Sequence, residues 1–247
     1  MDYGIAGNAA LTIASSKGLG KASATSLAKE GVDVVINGRD EEALAAAVEE
    51  IREVATGEVV GKQGDITDPA DVAALVETTV SEFGRMDHLV TSTGGPPRRG
   101  FEETDDDDWY GAYDLLVMSV VRTVRASLPY LREDGGTIVC ITSRRTKEAS
   151  PTNVLSSSVR MCVPGLMKVL SHELAPEIRI NTVRPGSYKT PRNPPETWDE
   201  KAKASPLGRV GEPSELGDAV AFLSSDRSSY LTGASIPVDG GASHSTL

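Results

Sequence analysis

The chain has 247 residues, 39% of them hydrophobic and only 4% aromatic, and its 25 Lys and Arg against 36 Asp and Glu give a formal charge of −11. A chain this long buries roughly 70–75% of the surface it exposes when unfolded, so it needs no disulfide or metal staple. The acidity disfavours nucleic acid, whose affinity comes chiefly from Lys and Arg displacing counterions, and no apolar stretch approaches the ~20 residues of a membrane helix.

The N-terminus MDYGIAGNAALT lacks a basic region followed by an apolar core, which fits a soluble, cytoplasmic protein without a membrane partner. Apolar, β-branched runs at 9–14 (AALTIA), 32–37 (VDVVIN), 58–61, 87–91 (DHLVT), 136–142 (GTIVCIT) and 178–183 (IRINTV) predict buried strands. Between them, KASATSLAKEG, EEALAAAVEEIREVA and ADVAALVETTVSEFG have helical periodicity. Asp105 to Asp108 precede a further helical pattern that begins at Trp109, where carboxylates favour a helix N-terminus. Tyr113 in that pattern is expected to pack inside. Cys140 and Cys162 each sit in an apolar segment and are expected as buried small hydrophobes. His88, His172 and His244 are scattered, so no metal site is expected. Strand and helix alternate without a repeat or linker, which predicts one domain over 1–247. Its fold class is α/β, a doubly wound parallel sheet with helices on both faces, whose ligand lies at the carboxyl ends of the strands where strand order reverses.

After the first predicted strand comes Ala14-Ser15-Ser16-Lys17-Gly18-Leu19-Gly20, leading into a helix. Glycines there let backbone approach a pyrophosphate, and the helix N-terminus offers free N–H groups. About 20 residues on, where a carboxylate normally holds the ribose 2′-hydroxyl, the chain reads Asn37-Gly38-Arg39. Gly38 removes the carboxylate, and Arg39 with Lys17 can supply charge to a 2′-phosphate, so NADP(H) is favoured over NAD(H).

At these residues the sequence resembles the short-chain dehydrogenase/reductase family, particularly its 3-oxoacyl-carrier-protein reductase-like branch, over essentially its whole length. The glycine-rich loop of that family corresponds to residues 13–20, with Ile13-Ala14 in place of Thr-Gly. Asp65-Ile66 matches the pair that contacts adenine. Pro185-Gly186 with Thr190 matches the segment that holds nicotinamide. Ser92-Thr93-Gly94 matches the end of the NNAG motif, of which only the glycine is retained. The closing stretch SPLGRVGEPSELGDAVAFLSSDRSSYLTGASIPVDGG is a close family tail. The resemblance implies a Rossmann-type sheet of about seven strands, a substrate lid at approximately 187–210, and a homotetramer or homodimer.

The resemblance also implies an active-site Tyr, a Lys four residues later, an upstream Ser and an Asn. The matching positions here are Ser156, Arg160, Ser143 and Leu116, so only the serine is retained. An aliphatic hydroxyl is a far poorer proton donor than a phenol, and Arg160 can bind ribose but stays protonated. Tyr188 is a substitute phenol if it enters the pocket, and an exposed loop residue if it does not. Arg144, Arg145 and Lys147, with Arg160, form either an anion-binding cluster or a charged surface. Pro96-Pro97-Arg98-Arg99 adds charge to the pocket or pairs with Asp105 to Asp108. Three functions stay open: an NADP(H)-dependent oxidoreductase of a small-molecule carbonyl or alcohol, anionic or acyl, with an altered proton relay; a catalytically silent dinucleotide-binding protein; and a lyase or hydratase acting on an anionic substrate.

Overall fold

Seven apolar stretches pair side by side in one parallel sheet. They are β1 (Ala9–Thr12), β2 (Asp33–Gly38), β3 (Val59–Gln63), β4 (His88–Thr91), β5 (Gly136–Ile141), β6 (Ile178–Pro185) and β7 (Ser235–Val238), in the order β3-β2-β1-β4-β5-β6-β7. A computed structural model describes residues 2–245; Met1, Thr246 and Leu247 of the expected domain lie outside the described residues. Strand order reverses between β1 and β4, which opens a crevice at their carboxyl ends. None of the described helices is long and apolar enough to cross a membrane.

Helices cover both faces. The first face carries α1 (Gly18–Lys29), α2 (Glu41–Arg52) and α9 (Pro213–Ser224), whose Leu27, Ala47, Ile51, Leu216 and Val220 pack on Ala10, Val34, Ile36 and Val139. The other carries α3 (Pro69–Phe83), α4 (Asp106–Tyr113), α5 (Ser119–Leu131), α6 (Val154–Val159) and α7 (Cys162–Glu173) over Leu11, Leu89, Ile138 and Ile180. Short α8 (Trp198–Lys203) lies in the segment after β6. Both faces are covered along β1, β2, β4, β5 and β6, whose residues are almost all buried, whereas the edge strand β3 buries only Val59.

Several expectations need correction. The acidic run is itself the first turn of a helix: Asp105 caps α4 by accepting the Asp108 N–H, and Asp106 to Asp108 are helical. Tyr113 is exposed, and Cys162 is exposed at the start of α7. Strand β7 was invisible to periodicity because none of its four residues is fully buried. Between α4 and α5 the helix loosens to a π turn at Asp114–Met118, with Leu116 buried in the core. Pro164 lies in the first turn of α7 and has no N–H for the Arg160 carbonyl, which accepts the Val163 N–H instead, so α7 starts afresh after α6.

The turn after β1 is held by Asn37. Its side-chain oxygen accepts the Ala14 N–H (3.1 Å), and its backbone carbonyl accepts those of Ser15 (2.7 Å) and Ser16 (3.2 Å). Its amide nitrogen donates to Gly64 O (2.9 Å) and Lys62 O (3.3 Å). Ala14 takes up a left-handed φ of 48°, where an alanine is strained and a glycine is not. Gly20 has no room for a side chain, since a Cβ would lie 2.6 Å from Ala14 O.

Two predictions follow from these positions. Replacing Ala14 with Gly relieves a conformation that costs an L-residue about 1 kcal/mol or more. The Ala14→Gly protein is therefore expected to melt roughly 2–4 °C higher, and a lower midpoint would refute the strain. His88 is buried between Thr137 Oγ1 (2.9 Å) and Asn8 Nδ2 (3.0 Å), and burial pushes its pKa down from 6.5 to about 4. Its folded value lies below the unfolded one, so its stabilisation is present above pH 6.5 and is lost as pH falls toward 4. Urea denaturation should show roughly 2 kcal/mol of this loss between pH 7 and pH 5, and an undiminished loss in His88→Gln would rule it out.

Candidate functional site

The carboxyl ends of β1, β2, β4, β5 and β6 carry most of the residues singled out by sequence. Ser15 is fully buried beneath the glycine-rich turn, Lys17 is exposed, and Leu19 and Ser16 are half-buried. Helix α1 starts at Gly18 with no side chain capping it, so its first N–H groups face outward as anion donors. Gly18 itself has φ 63°, and a Cβ there would reach Thr190 of the segment after β6 at 3.8 Å. The turn thus fits a pyrophosphate: it is a cradle with free donors, shaped by Gly18 and Gly20 and faced by Thr190.

The next strand end carries Gly38, where a Cβ would lie 2.7 Å from Ser16 Oγ, so no carboxylate side chain fits without displacing Ser16. Arg39 is exposed and sits 3.6 Å from the Asp65 carboxylate. Burial alone would raise the Asp65 pKa, but hydrogen bonds from the Thr67 N–H (2.9 Å) and hydroxyl (2.8 Å), with the Arg39 charge, pull it below the ordinary value. Ile66 is buried in the core beside it. Ser92 is buried, Thr93 half-buried and Gly94 exposed, with nothing within 4 Å of a Cβ built on Gly94. Pro185 ends β6, and Gly186 packs so closely on Asp239 that a Cβ would lie 2.7 Å from its Cα.

Arg160 joins two of these regions. Its guanidinium is buried and donates to Ser156 Oγ (3.4 Å), Thr93 Oγ1 (3.1 Å) and Gly94 O (3.2 Å). One turn of helix separates Ser156 and Arg160, which puts both on the same face. Burial lowers the Arg160 pKa to about 10, with the charge of Arg192 acting the same way, and it stays cationic at neutral pH. Ser143 stands half-buried at the end of β5 and accepts the Arg145 N–H (3.1 Å), leaving its own proton free to donate.

Other expected site residues have different roles. Tyr188 neither enters the pocket nor lies exposed. It is buried, its hydroxyl donates to Val238 O (2.7 Å), and its ring lies on Gly211, where a Cβ would come within 2.8 Å of it. Burial, with Glu215 and Asp239 nearby, pushes its pKa above the ordinary phenol value, so it anchors the segment after β6 and is a poor proton donor. Arg144 Nη1 reaches Ala242 O at 3.4 Å and so leans on the C-terminal segment. Arg99 pairs with Asp108, while Arg98 makes no ion pair among the described residues. No group of three or more His, Cys, Asp or Glu side chains among the described residues could hold a metal. Sequence reasoning missed Asn37, whose one signal was a polar residue ending an apolar strand. It also missed Arg192 in the segment after β6, whose hydrogen bonds to Gly95 and Pro96 depend on how two distant loops meet.

Comparison with known proteins is consistent with this geometry. Residues 13–243 match the family model described as Enoyl-(Acyl carrier protein) reductase. The chain is 33% identical over 244 residues to glucose 1-dehydrogenase of Gluconobacter oxydans, covering 96% of this chain and 92% of that one. It is 31% identical over 242 residues to the 3-oxoacyl-(acyl-carrier-protein) reductase of Thermotoga maritima, covering 95% and 97%. The crystal structure of L-sorbose reductase from Gluconobacter frateurii, complexed with NADPH and L-sorbose, aligns with a TM-score of 0.93 at 29% identity, over 99% of this chain and 100% of that one. A seven-stranded doubly wound sheet, a glycine-rich turn at its reversal point and this near full-length similarity together place the chain in the short-chain dehydrogenase/reductase family.

Proposed function

We propose that the protein is an NADP(H)-dependent oxidoreductase that interconverts a carbonyl and an alcohol, 3-oxoacyl reductase-like, through a non-standard proton relay. The observation that carries this reading is the path of Arg160, which ties the Ser156 helix to Thr93 and Gly94 beside the cofactor crevice. Residues 14–20 would hold the pyrophosphate, Asp65 and Ile66 the adenine end, and Ser92 to Gly94, Pro185, Gly186 and Thr190 the nicotinamide end. A nicotinamide bound there supplies or accepts the hydride. The 2′-phosphate preference is supported by the lack of side-chain room at Gly38 and by exposed Arg39 and Lys17. That L-sorbose reductase was crystallised with NADPH also supports it.

At the reacting end, the Ser143 hydroxyl would donate to the carbonyl oxygen, and the Arg160 cation would stabilise the alkoxide that hydride addition creates. Ser156 Oγ, held by Arg160 Nε, would relay a proton from water to that alkoxide. Tyr188 has no part in this relay, because its hydroxyl is committed to Val238 O, whereas Arg144, with one long contact to Ala242 O, keeps donors for an anionic group. A homo-oligomer belongs to the same proposal, and exposed Tyr110 and Tyr113 on α4 with Met161 and Val169 near α7 are compatible with one.

A second reading, a dinucleotide-binding protein without turnover, is favoured by the engagement of the Tyr188 phenol with Val238. Nucleotide binding tests both readings, and turnover separates them. Fluorescence titration should give tighter binding of NADPH than of NADH, with Arg39→Ala weakening NADPH about tenfold, as loss of one charge-assisted contact implies. Absence of binding by either nucleotide would reject both readings. Ser156→Tyr combined with Arg160→Lys should then raise carbonyl reduction about 100-fold or more, the usual worth of a positioned general acid. No turnover by parent or double variant across ketones, quinones and acyl thioesters would favour the silent reading.

A further inference from the structure

The lid brings a charge into the cleft that no protein group balances. Arg192 lies across Gly95, where a Cβ would be only 2.2 Å from the guanidinium carbon, and it reaches Gly95 O and Pro96 O at 3.4 Å each. Arg98 stands a few residues further along that loop, and its charge bears on Arg192, on Arg145 after β5 and on Lys201 in α8. Arg192 in turn bears on buried Arg160. The Arg192 contacts join the segment after β6 to the loop after β4, and the Arg98 charge felt at Arg145 links the loop after β5 to the same positive region.

Neighbouring cations on the same loops are neutralised. Arg99 pairs with Asp108, Lys189 with Glu212 and Arg209 with Glu215. Arg98, Arg145 and Arg192 have no carboxylate within ion-pair distance among the described residues. Glu148 acts on Arg145 from further away, while its Oε1 accepts the His244 N–H. In a protein of net charge −11, carboxylates are abundant, and three arginines here without an ion-pair partner among the described residues leave guanidinium forks suited to an incoming anion.

We propose that the substrate carries an anionic group, a carboxylate or a phosphate, that binds between Arg98, Arg145 and Arg192 at the mouth of the cleft. This deepens the oxidoreductase reading and rests on it for the identity of the cleft as the substrate site. Arg160 and Ser143 then act on the carbonyl, while the three arginines hold the other end and draw the lid over it.

The test is calorimetric titration of the full-length, NADPH-saturated protein with two matched pairs of probes. One pair is 4-oxopentanoate and its methyl ester; the other is dihydroxyacetone phosphate and dihydroxyacetone. The charged member of at least one pair should bind at least tenfold tighter, and the pair that shows this distinguishes carboxylate from phosphate. Arg145→Gln and Arg192→Gln should each cut that preference severalfold. Arg125→Gln, on the exposed side of α5, should not. Raising NaCl should weaken the charged probe alone, which gives a readout on the unaltered chain. Equal affinity within both pairs, including no measurable binding of any probe, overturns the inference, as does a preference that survives both arginine variants. The same titrations on protein without NADPH separate the two proposals: failure of NADPH to bind rejects the oxidoreductase reading, whereas charge preference is still read directly.

Discussion

The buried side chain of Asn37 fixes the geometry on which the cofactor crevice depends. One residue at the end of β2 accepts from the turn after β1 and donates to the end of β3, so three adjacent strand ends are locked in one arrangement. Each of these bonds satisfies a buried polar group, and removing one partner would leave the other unpaired at a cost of about 1–3 kcal/mol. That constraint lets Ala14 be held in a left-handed conformation and lets α1 begin uncapped, with its N–H groups pointing outward. A rigid frame on the nucleotide side contrasts with a substrate side made of loops, where charge rather than packing dominates.

The electrostatics divide along the same line. Across much of the surface acidic residues cap helices or pair with cations, as Asp105 and Asp108 do at α4 and Glu215 does with Arg209. At the mouth of the cleft the balance reverses. Arg160 pays for its burial with hydrogen bonds to neutral groups only, and Arg192 makes long ones to carbonyls. A cation held by neutral partners keeps its full charge available to a ligand. The acidic composition thus hides a local positive field that net charge alone could not reveal.

The order of strands and helices was legible in the amino-acid sequence because both faces of the sheet are covered. Burial on both sides forces continuous apolar runs, and the helices between them must present one apolar stripe each. Legibility failed where that burial is incomplete. Strand β7 has no fully buried residue, so no pattern announced it. Helix α4 begins inside an acidic run, where capping rather than hydrophobic period sets the boundary. Cys162 sits in an apolar segment yet is exposed at the interruption made by Pro164.

The sequence by itself determined the α/β layering, the glycine-rich turn, the missing side chain at Gly38 and the identities at positions 143, 156 and 160. These are fixed by residue type and short spacing, which act through local sterics and burial. Only the tertiary structure decided what the longer-range side chains do. Tyr188 turned inward to Val238 O because the segment after β6 pairs with Gly211. Asn37 became a clamp because β1 and β3 flank β2. Arg192 reached Gly95 and Pro96 because the segments after β6 and β4 end at one edge of the sheet. Such contacts join residues far apart in the chain, and their geometry exists only once the sheet has brought the strand ends together.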